Sequence, residues 1–219
     1  MEVPVQPALG RRARKALATR HRMLDAAEAR FVRDGYAATT IAAIAEEADV
    51  AVQTVYAVFG NKRALLSELL AVRVAGDDDA IPRGFPARLQ GREQWQAIEH
   101  EPDPRRQLSL LAALATQIGN RIGGLYQVLA GAAGSDPEIA ELYRNQRHAR
   151  YTDQQRLARS LGDKGALRAG LSETTATDIM WAIANPNTHY ALVSERRWTP
   201  EAYEQWLAHT LTCALLPEG

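Results

Sequence analysis

Thr39-Thr40-Ile41-Ala42-Ala43-Ile44-Ala45-Glu46-Glu47-Ala48-Asp49-Val50-Ala51-Val52-Gln53-Thr54-Val55-Tyr56 is the stretch whose reading decides this chain. Ile41, Ile44, Ala45 and Ala48 recur at helical spacing and predict one short helix with a buried stripe. A hydroxyl at Thr39 or Thr40 caps its start, because the first backbone N–H groups of a helix have no partner within it. After Ala48 the chain must turn sharply, and Asp49 falls where a left-handed backbone is needed, which Asp tolerates better than most residues. Val50 and Val55 then point inward. Ala51, Val52, Gln53, Thr54 and Tyr56 are left facing outward on a second short helix. Two helices joined by a tight turn, the second presenting small polar side chains, are what the major groove of DNA accepts.

The flanks complete a three-helix head. Upstream, Leu24, Ala27 and Phe31 share one side of a helix whose charged residues Asp25, Arg30 and Arg33 fall on the other. Gly35 supplies a left-handed stop, and Tyr36 turns back onto the core. Downstream, Lys62 opens the next helix, where a cation beside the positive helix end suits a backbone phosphate. Among the outward residues, Gln53 has the donor and acceptor to pair bidentately with adenine. Thr54 can touch a thymine methyl or a base-edge acceptor, and the Tyr56 hydroxyl reaches a phosphate. The plainer reading is a three-helix bundle in which the same Thr and Tyr side chains only cap and pack.

The run Ala26-Ala27-x3-Phe31-x3-Gly35-Tyr36-x2-Thr39-Thr40-Ile41-x2-Ile44-Ala45-x2-Ala48-x-Val50-x3-Thr54-Val55-Tyr56-x2-Phe59-x2-Lys62-x2-Leu65-Leu66 resembles the N-terminal domain of TetR-type transcriptional repressors. The resemblance implies phosphate contacts at Thr40 and Lys62 and a recognition-helix tyrosine at Tyr56. The expected DNA-binding set is therefore Thr40, Ala51, Gln53, Thr54, Tyr56 and Lys62. Two positions depart from the family's pattern: Asp49 stands at the usual turn glycine, and Val58 where a histidine is common.

The charges agree with a DNA-facing head. The 219-residue chain is formally neutral, yet residues 1–75 carry 11 Lys+Arg against 8 Asp+Glu and the remainder carries 15 against 18. Residues 1–19, with Arg11, Arg12, Arg14 and Lys15, read as a flexible basic arm. It is either a solvated tail or a segment that follows the DNA backbone. Residues 20–75 form the expected helix-turn-helix domain, and 76–219 a helical regulatory and dimerisation domain. Between them Asp77-Asp78-Asp79 and Pro82-Arg83-Gly84-Phe85-Pro86 break the helical pattern.

In the larger part no alternating strand pattern appears, so the expected fold class is all-α. Arg88 to Glu99 reads as a short helix carrying Trp95. A longer helix begins near Arg105 and is expected to bend at Gly119, Gly123 and Gly124. Ser135-Asp136-Pro137-Glu138 opens another, to about Leu161, whose Arg144, Arg147, Arg150, Arg156 and Arg159 read as a solvated or partner-facing surface. Ser172 begins a helix that Pro186 must kink or split. Trp198-Thr199-Pro200-Glu201 starts the last, with Tyr203, Trp206, Leu207, Leu211 and Leu215 available for burial and the lone Cys213 packing within it.

The resemblance implies a homodimer that pairs about Ser172 to Ser194 and Pro200 to Leu216 across a two-fold axis on a palindromic double-stranded DNA operator. The Leu207, Leu211 and Leu215 stripe is read as needing that partner. The resemblance also implies a small-molecule effector in the larger domain, of unread identity. Trp95, Tyr126, Trp181, Asn185 and His189 are its candidate contacts, the last three sharing a face if the proline kink is gentle; alternatively they are core or interface residues. No run approaches a membrane span and no signal peptide pattern appears, so a cytoplasmic protein without a membrane partner is expected. The five histidines show no metal-ligand spacing, and no phosphate loop or nucleophile elbow is present. The expectation is a ligand-responsive regulator, not an enzyme, with no metal or cofactor. A helical enzyme and a ligand-independent DNA-associated scaffold remain as rivals.

Overall fold

The computed structural model describes residues 10–76, 89 and 93–218. The connection expected at Asp77–Asp79 and Pro82–Pro86 lies outside them. The chain divides into two compact units, Met1–Leu69 and Leu70–Gly219. Every regular element among the described residues is helical.

In the first unit, α1 (Arg11–Ala38) is interrupted at Gly35, whose φ of 80° and ψ of 165° are not helical. Residues 11–19 were expected to be a flexible arm, and the structure corrects this: they are the first turns of α1. Ala16, Leu17 and Ala18 favour helix, and no proline or glycine stands between Arg11 and the buried part of the same helix. Residues 1–9 of that arm lie outside the described residues. α2 (Ile41–Glu47) buries Ile41, Ile44 and Ala45, as its spacing predicts, and α3 (Val52–Phe59) buries Val55 and Phe59. Asp49 takes the left-handed conformation at φ 51°. α4 begins at Lys62 and runs to Ala75.

The second unit holds α5 (Glu93–His100), α6 (Pro104–Ala132), α7 (Pro137–Asp163), α8 (Glu173–Ile183), α9 (Pro186–His189), a π-helical turn at Tyr190–Glu195, and α10 (Pro200–Leu215). Asp103, Asp136, Ser172, Asn185 and Thr199 each cap the helix that follows by accepting from its first turn. The core gathers Trp95 and Ile98 of α5, Leu108, Leu111 and Leu114 of α6, Leu157 and Leu161 of α7, Met180 of α8, and Tyr203, Leu207, Leu211 and Leu215 of α10. The leucine stripe of α10 therefore has its partner within the chain. It was read as needing a second copy, because periodicity shows that a face is buried but not against what. Cys213 is exposed, not packed, with Sγ 3.6 Å from His209 Nε2 one turn back.

α6 was expected to bend at its glycines and instead runs unbroken. Gly119 and Gly123 are buried because the chain after Pro186 lies against them. A Cβ added to Gly119 would stand 2.4 Å from His189 Cγ, and one on Gly123 would stand 3.5 Å from the Tyr190 ring. Here glycine provides close approach, not flexibility. His189 is itself buried, with its Nε2 2.9 Å from Asn120 Oδ1 and its ring edge-on to Tyr203.

Gly119→Ala is expected to destabilise the protein by about 1–3 kcal/mol, the usual cost of overpacking. Adding His189→Ala should recover part of that loss in a denaturant melt. Burial also lowers the His189 pKa from its ordinary 6.5. Below pH 6.5 the unfolded chain thus takes up a proton that the folded chain refuses. Stability is then full above that pH and falls as pH drops. His189→Gln should flatten this part of the stability–pH profile.

Candidate functional site

The geometry of the head is held at one junction. After Gly35, Thr39 is buried and its hydroxyl donates back to the Gly35 carbonyl at 2.7 Å, while Thr40 Oγ1 accepts from Ala43 N–H at 3.1 Å. The two threonines therefore divide the work. Thr39 closes α1 and Thr40 caps α2. Thr40 is exposed and its hydroxyl hydrogen is not used by that cap, so it can still donate to a phosphate. Across the head, Lys62 Nζ donates to the Tyr36 carbonyl at 2.7 Å and to the Thr39 carbonyl at 2.8 Å, and it lies 4.3 Å over the Tyr36 ring. This ammonium ties the start of α4 to the α1–α2 turn. Lys62 was expected only as a phosphate contact, so the structure adds a positioning role. Arg20 bonded to Glu68 and Arg30 paired with Glu47 brace α1 against α4 and α2.

Of the five residues expected to face outward at the start of α3, three are exposed and two are not. Ala51, Gln53, Tyr56 and Ala57 are exposed, while Val52 and Thr54 are half-buried. Tyr56 keeps 51% of its surface although it is a large ring in a small domain. A tyrosine that merely packed would not. Val50, expected inward, is half-buried.

The second unit contains a cavity of about 500 Å³, counted with its open mouth. It is walled by Trp95, Leu111, Leu114, Ala115, Ile118 and Tyr203 and is bounded by Arg150, Asp153, Gln154 and Asn185. Of the five residues read as effector contacts, Trp95 and Asn185 line it. Tyr126, Trp181 and His189 do not. Tyr126 is buried edge-on to Tyr143. Trp181 is half-buried beneath Arg147 and Arg150, with the guanidinium carbons 4.7 and 5.1 Å from its ring centroid. Trp181, Asn185 and His189 share no face, because α8 ends at Ile183 and Asn185 is extended at φ −116° and ψ 134°. A residue before proline is driven to that conformation.

Arg150 is the residue that sequence reasoning placed wrongly. Of the α7 arginines, Arg144 and Arg159 are exposed, and Arg156 bonds to Glu99 at 2.7 Å. Arg150 instead turns inward, and its Nη1 donates to the carbonyls of Trp181 at 2.8 Å and Ala184 at 2.9 Å. Arg and Lys dominate solvent faces, and only the broken end of α8 gives this one a reason to be inside. A proline splitting a helix near an arginine-rich one was the available signal.

α2 and α3 with the tight turn at Asp49 make a helix-turn-helix, the arrangement that the major groove of DNA accepts. Residues 23–69 of the chain match the model for "Bacterial regulatory proteins, tetR family". No curated protein matches it in sequence. Among solved structures it is similar to a complex of SmeT with triclosan, at 21% identity over 92% of this chain and 93% of that one, with a TM-score of 0.69. NalD, the secondary repressor of the MexAB-OprM multidrug efflux pump in Pseudomonas aeruginosa, shares 21% identity over 93% of this chain and all of that one, TM-score 0.66. The regulator FadR from Bacillus subtilis, in complex with stearoyl-CoA, shares 15% over 89% and 98%, TM-score 0.66. The chain shares the fold of these solved structures. No described helix is long and apolar enough to cross a membrane.

Lys62→Ala should lower the stability of the head by about 1–3 kcal/mol, since charge-assisted bonds to two carbonyls are lost. Tyr56→Phe, at an exposed hydroxyl, should stay within about 0.5 kcal/mol of the parent. Denaturant melts alongside DNA titrations separate positioning from DNA contact.

Proposed function

We propose that this chain is a sequence-specific transcriptional repressor that binds a palindromic operator as a homodimer and is released when a small molecule occupies the cavity of its second unit. The observation that carries this reading is the pairing of an exposed recognition surface, Gln53 and Tyr56 on α3, with an apolar cavity in a separate unit. SmeT and FadR, similar in fold, are complexes with triclosan and with stearoyl-CoA. Thr40, Thr54, Tyr56 and Lys62 serve as backbone and groove contacts, Gln53 reads a base, and Ala51 allows close approach. The effector acts by favouring the conformation that binds DNA less well, and a few kcal/mol of preference suffices. The protein works in the cytoplasm, needs no metal or cofactor and catalyses no reaction on its effector.

With Leu207, Leu211 and Leu215 occupied inside the chain, the homodimer uses the outward side of α10 and the residues before it, where Trp198 is 37% exposed and stacks edge-on with the half-buried Trp206. Sedimentation of the parent should give a dimer at micromolar concentration, and Trp206→Glu a folded monomer. A folded parent monomer overturns the dimer.

Operator affinity should fall steeply with salt as phosphate contacts release counterions. Gln53→Ala should relax preference at one base position, losing roughly 1–3 kcal/mol there. Equal affinity for operator and random duplex at physiological salt would remove sequence-specific regulation. An operator affinity that no cavity ligand changes would leave the ligand-independent scaffold instead.

A further inference from the structure

The polar groups on the cavity wall have unequal fates. Asp153 accepts from the Leu89 N–H at 3.4 Å, Asn185 Oδ1 accepts from Asn187 N–H at 2.9 Å, and Gln154 Nε2 donates to the Met180 carbonyl at 3.3 Å. Arg150 spends Nη1 on the end of α8. Among the described residues its Nε and Nη2 are buried without a hydrogen-bond partner within bonding distance, and so is Nε1 of Trp95. Against these donors stands one unmet acceptor, Gln154 Oε1. Among the described residues the wall therefore carries more unmet donors than unmet acceptors, and the Arg150 cation shares it with the Asp153 carboxylate.

The groups that act most strongly on Arg150 are not carboxylates. It faces the phenols of Tyr126, Tyr143 and Tyr203, the Trp181 ring and the like-charged Arg147. Burial raises the Tyr126 hydroxyl to about 12 and the Tyr203 hydroxyl higher still, so both stay neutral near pH 7. A charge withdrawn from water is normally paired with an opposite one, and this one is met by two carbonyls, the Tyr126 phenol and a ring face. Nε and Nη2 are the two donors on one edge of a guanidinium. Their parallel N–H bonds match the two oxygens of a carboxylate.

We infer that the effector is a carboxylate-bearing amphiphile, its head seated on Nε and Nη2 of Arg150 and its apolar body against Trp95, Leu111, Leu114 and Ile118. The inference rests on the effector-cavity reading above and names the chemical class that cavity takes. Trp95 Nε1–H offers one further donor to the head. The carboxylate would meet the same guanidinium that holds the Trp181 and Ala184 carbonyls, so occupancy would act directly on the break between α8 and α9.

The test uses the full chain with decanoate and decanol, which share an apolar body and differ in the head. Calorimetry on the parent should show decanoate binding at least ten-fold more tightly than decanol. Arg150→Lys keeps a cation but not the fork and should lose most of that preference, while Trp95→Phe keeps the ring and should lose less. Decanol binding as tightly as decanoate overturns the inference, as does failure of both to bind. Because Arg150 also closes α8, the head-group comparison in the parent decides even if its variants unfold. Binding of the neutral dye N-phenylnaphthylamine, abolished by filling the cavity with Ala115→Trp, reports the cavity itself. Dye binding without head-group preference sinks the carboxylate and leaves the cavity reading standing. Dye binding that Ala115→Trp does not change sinks the cavity reading.

Discussion

Pro186 has no N–H to offer, and the second unit is arranged around that missing donor. α8 cannot continue through it, so Asn185 swings into the extended conformation and caps the next turn with its own side chain. The carbonyls stranded at the end of α8 need donors in a region closed to water. Arg150 supplies them from α7, and in doing so a guanidinium is drawn into the interior. Beyond the break, His189 and Tyr190 are carried onto Gly119 and Gly123 of α6, which closes the unit on that side. Cavity wall, buried cation and glycine contact thus follow from one residue that cannot make a hydrogen bond.

The head solves the same problem differently. Gly35 ends the main run of α1, and the carbonyls around that turn are met by a hydroxyl from Thr39 and an ammonium from Lys62. Both units therefore place a long cationic side chain from another helix on orphan carbonyls. The consequence differs with exposure. Lys62 is half-buried and lies at the rim of the recognition surface, where a phosphate can share its charge. Arg150 lines the cavity and has two donors sealed from solvent.

Most of the head was legible in the sequence because its determinants are local. The stripe Ile41, Ile44, Ala45, the left-handed turn at Asp49 and the outward set Gln53 and Tyr56 all depend on residues within a few positions of one another. Helix starts at Asp103, Asp136, Ser172 and Thr199 are local in the same sense, since a cap contacts its own first turn. The second role of Lys62 was not legible, because Tyr36 and Thr39 reach it only through the packing of three helices.

By itself the sequence determined an all-α chain, its helix-turn-helix head, the side of α3 that faces outward and the interruption at Pro186, all consequences of backbone conformation and periodicity. Tertiary structure alone decided what each buried face meets. It put Leu207, Leu211 and Leu215 against the chain's own core, kept α6 unbroken through glycines that looked like breaks, and set Trp95 and Asn185 on the cavity while leaving Tyr126, Trp181 and His189 off it. It also turned Arg150 from an arginine-rich surface onto the end of α8. The physical reason is the same in each case. Spacing states that a side chain leaves water, but its partner, and any donor left without one, depend on which distant helix arrives to cover it.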